Sequence, residues 1–102
     1  MAQNIADEAQ VKEGASKSKR IRERELMDVK LILETDYGRR FIWRLLEKAK
    51  VFGSIWEQSA RIHYNSGQQD FGHFVMSEVT ESNPESLILM MKESKKREDN
   101  DA

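Results

Sequence analysis

The chain has 102 residues, 17 of them basic and 18 acidic, with a formal net charge of -1. That length limits it to one domain, and near-neutrality excludes a global field that would draw it to DNA or to a membrane, leaving only local clusters for such attraction. The absence of cysteine excludes disulfides and thiolate metal sites, and the longest wholly apolar run, Leu87 to Met91, is far short of the ~20 residues that span a bilayer.

The first residues, Met1-Ala2-Gln3-Asn4, lack the basic-then-apolar order of a signal peptide, so the chain is expected to be soluble and made inside a cell. Residues 1–17 are polar, small and weakly periodic, which predicts a flexible, extended arm with little apolar surface to offset its ordering entropy. The run Lys17 to Glu25 mixes basic and acidic residues and reads either as a solvated helix face or as a phosphate-contacting arm. Leu26, Val29, Ile32 and Leu33 continue it as a helical stripe, so a first helix is expected from about Ser18 to Glu34.

Thr35 or Asp36 is placed to cap a second helix from about Tyr37 to Lys50, in which Tyr37, Phe41 and Leu45 recur at helical spacing beside Ile42 and Leu46. Gly38 costs little so early in a helix, and Lys48 and Lys50 suit the negative end of its dipole. Gly53-Ser54 closes the segment. Asn65-Ser66-Gly67 reads as a turn or cap, so a third helix is expected to start near Gln68, with Phe71, Phe74, Val75 and Val79 as its apolar stripe and Gly72 as a weak point. Asn83 before Pro84, with Glu85 next, is the clearest helix start in the chain, and Leu87, Ile88, Met90 and Met91 supply the fourth stripe. Beyond residue 93 the chain is a charged run expected to fray.

The fold class is therefore all-α: about four helices forming a small helical hairpin or bundle over residues 18–93, between a flexible arm (1–17) and a charged flexible tail (94–102). A compact part of roughly 65 residues would bury only about 60% of its unfolded surface, so its stability is marginal without a partner.

No catalytic constellation, cofactor site or metal site is apparent. His63 and His73 lie ten apart without cysteine or HxxxH spacing, and no serine sits in a nucleophile-elbow pattern. The physical oddity is the cluster Arg39, Arg40, Arg44 and Lys48. Its first members stand where the positive end of a helix dipole disfavours cations, and Arg40, Arg44 and Lys48 stack like charges at four-residue spacing. Something must compensate them: Glu34, Asp36, Glu47 or the acids of the third and fourth helices, an acidic protein partner, or nucleic-acid phosphate. Trp43 and Trp56 are either core residues or exposed anchors for a larger assembly.

The stretch Asp36-Tyr37-Gly38-Arg39-Arg40-Phe41-Ile42-Trp43-Arg44-Leu45-Leu46-Glu47, followed by Val51-Phe52, resembles the opening signature of the Bbp-nineteen-like family of small tailed-bacteriophage proteins. That family's pattern continues with a glycine, basic residues and an apolar helix ending in proline. It is similar to Asn65 to Gly72, Val75 to Val79 and Pro84 here, except that Gln68 and Gln69 stand where basic residues are usual. The resemblance covers about residues 26–93 and implies a non-enzymatic virion or virion-assembly protein associated with head or portal components. Its expected partners are phage head or portal proteins or further copies of itself, located in the virion or in the host cytoplasm during assembly. The alternative is a nucleic-acid-binding accessory in DNA packaging or ejection, using Arg39, Arg40, Arg44 and the run Lys17 to Arg24. The residues expected to meet a partner are Arg39, Arg40, Trp43, Arg44, Lys48 and Trp56; no membrane segment and no small-molecule substrate are expected.

Overall fold

A computed structural model describes residues 5–101. Among these residues the protein is all-α, with four helices and no strand: α1 (Ile5–Leu33), α2 (Asp36–Lys48), α3 (Arg61–Ser82) and α4 (Pro84–Asp101). Three boundaries differ from those expected. α1 includes residues 5–17, assigned above to an extended arm; residues 1–4 and 102 lie outside the described residues. Every residue from Ile5 to Ile21 is exposed, so this part of the helix contributes nothing to the buried core. Its alanine, lysine, glutamate and arginine content favours helix, and elongating a helix already nucleated by the docked C-terminal half avoids the nucleation cost.

α3 begins at Arg61 rather than near Gln68, so Asn65-Ser66-Gly67 lies inside a helix. Asn65 is buried and its amide donates to the Ile55 carbonyl and the Glu57 carboxylate, both at 3.4 Å, which spends on the preceding loop the polar group that would otherwise favour a turn. α4 runs on to Asp101, through most of the predicted tail, because Ser94 is buried and Glu93 and Arg97 are half-buried against the rest of the protein.

The capping signals at Thr35 and Asn83 act as read. Thr35 Oγ1 accepts a hydrogen bond from the Gly38 N–H at 3.0 Å, and Asn83 Oδ1 accepts from the Glu85 N–H at 3.2 Å. α2 ends in a Schellman arrangement: the Val51 N–H donates to the Leu46 carbonyl and the Lys50 N–H to the Glu47 carbonyl. Val51 then packs on the core beside Leu46. The motif requires a left-handed residue, and Lys50 supplies it at φ 60°. Lys50→Gly is expected to stabilise the protein by about 1 kcal/mol, because glycine adopts that conformation without the Cβ penalty; thermal unfolding followed by circular dichroism measures it.

The core is small. Leu33, Trp43, Leu46, Val79 and Met90 are buried, and all four helices contribute to it. Val29, Ile42, Val51, Val75, Met76 and Leu87 pack around them. Several expected core residues are instead exposed: Tyr37 and Phe41 on α2, Phe71 and Phe74 on α3, Ile88 and Met91 on α4, and Ile32 on α1. In their place the helices bury small residues, Gly38, Gly72, Ser86 and Ser94.

These small residues let backbones approach closely. A Cβ on Gly72 would lie 2.5 Å from Ala49 Cβ and 2.6 Å from Val51 Cγ2, so the end of α2 rests directly on α3. Gln69 fastens the same contact, donating to the Lys50 carbonyl at 2.7 Å and the Gly53 carbonyl at 3.2 Å. α1 is tied to α3 by Ser82 Oγ, which donates to the Leu26 carbonyl at 2.8 Å, and by Arg22, which pairs with Glu78 and, at 2.7 Å, with Glu81.

The molecule is long and flat, 67 by 38 by 15 Å, with a radius of gyration of 19.4 Å. A compact domain of this length would have about 13 Å. The exposed half of α1 and the thinness of the layer leave much apolar surface in contact with solvent.

Candidate interaction site

The arginine cluster divides. Arg39 turns inward: its Nε and Nη2 donate to the two carboxylate oxygens of Glu93 on α4 at 2.7 and 3.1 Å, its Nη1 to the Leu33 carbonyl at 2.8 Å, and its Nη2 also to Asp36 at 2.6 Å. Its side chain is only 11% exposed. Asp36 was among the acids expected to compensate the cluster, and Glu93 belongs to the fourth helix as foreseen. Arg39 is therefore a clamp between the α1–α2 corner and α4, occupied within the fold.

This pairing has a pH signature. The hydrogen bonds from Arg39 hold the Glu93 carboxyl below its ordinary value, against partial burial that opposes ionisation, and Arg22 does the same for Glu78. A folded-state pKa below the unfolded one contributes stability that is complete above the ordinary carboxylate value near 4.5 and is lost as pH falls through the folded value. Stability is therefore expected to be level near neutrality and to decline below about pH 4.5. Urea titrations from pH 7 to 3 test this: Glu93→Gln should be less stable than the parent at pH 7 and should converge with it in acid.

Arg40 and Arg44 face outward. With Tyr37, Phe41, Trp43 and Glu47 of α2 and Arg97 of α4, they line a cleft of about 450 Å³. The Arg44 guanidinium lies 5.4 Å from the centre of the Phe41 ring, close enough for a cation–π contact. Arg97 had been assigned to the fraying tail, and the register of a continuous α4 is what brings it here. No pattern in the sequence near Arg97 marks it as a partner of residues some fifty positions earlier.

Trp43 is core rather than anchor. It is 9% exposed, stacks on Phe52 with ring centroids 5.3 Å apart, and its indole N–H is buried without a hydrogen-bond partner. Trp56 is 73% exposed and stands apart, in the loop between α2 and α3.

Lys48 belongs to a second depression, between α2 and α3. Leu45, Lys48, Ala49, His63, Tyr64, Gly67, Gln68 and Phe71 bound about 550 Å³ of mainly apolar space. Tyr64 and Phe71 are 62% and 65% exposed, and Phe74, 54% exposed, extends the patch through its ring contact with Phe71 at 5.8 Å. The sequence placed Phe71 and Phe74 on a core stripe, and the small residues that displaced them from the core made this face.

Among the described residues no group of three or more histidine, aspartate or glutamate side chains is placed to hold a metal ion, and no helix is long and apolar enough to cross a membrane. No protein-family model, curated protein or solved structure matched this chain.

Proposed function

We propose that the chain is a non-enzymatic interaction module of a bacteriophage virion or its assembly pathway, docking on head or portal components in the particle or in the host cytoplasm. The observation that carries this reading is the α2/α3 face, where Leu45, Tyr64, Phe71 and Phe74 form a connected apolar surface beside a core of, among the described residues, five buried apolar side chains. Contiguous exposed aromatics are uncommon on solitary soluble chains and mark surfaces that another protein covers. The resemblance of Asp36 to Leu46 to small phage proteins supports the setting.

Co-sedimentation with purified virions, and binding to isolated portal and head proteins, test the proposal. Binding should be lost in Tyr64→Glu/Phe71→Glu, a pair whose exposure leaves the helical content intact. If the parent protein neither sediments with virions nor binds any head or portal protein, the reading fails.

A further inference from the structure

The α2/α4 cleft is a separate matter from the apolar face. Arg40, Arg44 and Arg97 converge on it, and among the described residues Glu47 is the one carboxylate in its lining. Among the described residues none of the three arginines has a carboxylate within ion-pairing distance. Glu93 feels the charge of Arg40 and Arg97, but both its oxygens are taken by Arg39. Three guanidiniums gathered around one cleft repel one another, and a bound anion relieves that repulsion. The remaining wall is aromatic: Tyr37 is 70% and Phe41 49% exposed, one helical turn apart, about 6 Å along the axis.

We propose that this cleft binds single-stranded nucleic acid, with Arg40, Arg44 and Arg97 on successive phosphates, Tyr37 stacking on one unpaired base, and Phe41, one face of which lies under the Arg44 guanidinium, offering its other face to the next. Cations that track phosphates, interleaved with exposed rings, are the two components that single-strand sites combine. A duplex fits less well, because its bases are already stacked and the chain as a whole carries a net charge of -1 rather than a broad basic surface. An acidic polypeptide would satisfy the arginines but would leave the rings without a planar partner. Arg39 takes no part, since it is held by Glu93 and Asp36. This function goes beyond protein docking and uses a different set of residues.

The test is fluorescence anisotropy of labelled oligo(dT), twenty nucleotides long, with the full chain, alongside a duplex of equal length, free thymidine monophosphate and polyglutamate as competitors. Single-stranded oligo(dT) should bind more tightly than the duplex. With three phosphates neutralised, affinity should fall about 20-fold between 50 and 200 mM salt. Arg40→Glu/Arg44→Glu should reduce affinity more than tenfold, and Tyr37→Ala/Phe41→Ala should reduce it about tenfold through lost stacking. Tyr64→Glu/Phe71→Glu should leave it unchanged, which separates this site from the docking face. Circular dichroism of each variant confirms that helices are retained. Absence of binding by the parent protein at 50 mM salt overturns the proposal. So does polyglutamate or the mononucleotide competing as well as oligo(dT), or a Tyr37→Ala/Phe41→Ala protein that binds as the parent does.

Discussion

Leu46→Ala is expected to remove about 3 kcal/mol of stability and to lower the unfolding midpoint by more than 10 °C. Leu46 is fully buried, and it stands at the junction where Val51 closes the end of α2 over the core. Truncating it deletes buried carbon and leaves a cavity that surrounding helices, pinned by Arg39, Gln69 and Ser82, are poorly able to collapse. In a domain of ordinary stability, about 5–15 kcal/mol, that is a large fraction of the total. Phe71→Ala is the control. It removes a larger side chain, but one that is 65% exposed, and should change stability by only about 0.5 kcal/mol. Urea unfolding of the two variants in parallel decides the matter: equal losses would mean that the buried set has been assigned to the wrong face of these helices.

The second large effect is at Gly38. Alanine in a helix normally gains up to about 1 kcal/mol over glycine, yet Gly38→Ala is expected to destabilise by about 2 kcal/mol. A Cβ there would lie 2.0 Å from the Ile32 carbonyl oxygen and 2.5 Å from Thr35 Oγ1. The first of these is backbone, so no side-chain rotation relieves the clash, and moving α2 away from α1 strains the Thr35 cap and the Arg39 clamp together. Gly67 provides the contrast within the same protein. It lies within α3 with nothing near the position of its missing Cβ, and Gly67→Ala should gain about 0.5–1 kcal/mol. Opposite signs from one substitution at two helical glycines distinguish steric need from helix propensity.

The elements themselves were largely legible. Thr35 and the Asn83-Pro84 pair announced their helices through side-chain caps, which are local chemistry and need no tertiary context. The helix through Leu26, Val29, Ile32 and Leu33 and the approximate span of α2 followed from periodicity in the same way. The residues that the helices bury are not those that hydrophobicity alone selects. Hydrophobicity favoured Tyr37, Phe41, Phe71 and Phe74, whereas the fold buries Gly38, Gly72, Ser86 and Ser94 at its contacts. Rings of that size would hold the helices too far apart for the close approach of Ala49 and Val51 to α3. The described parts of the two polar ends, expected to be extended or frayed, are helical for reasons that also lie outside local sequence. Helicity at residues 5–17 is elongation from a docked segment, and helicity at residues 94–101 depends on the burial of Ser94 and the seating of Glu93 and Arg97.

The candidate surfaces divide along the same line. The arginine cluster was visible as an electrostatic anomaly, but only the fold separated Arg39, which is satisfied by Glu93, from Arg40 and Arg44, which are joined by Arg97. By itself the sequence determined an all-α chain, its capped helix starts, a near-neutral charge and a cluster of arginines in need of compensation, because these depend on composition and on neighbours within a few residues. Tertiary structure alone decided which aromatics face solvent and which acid meets which arginine, because those outcomes depend on helix register across some fifty residues of chain.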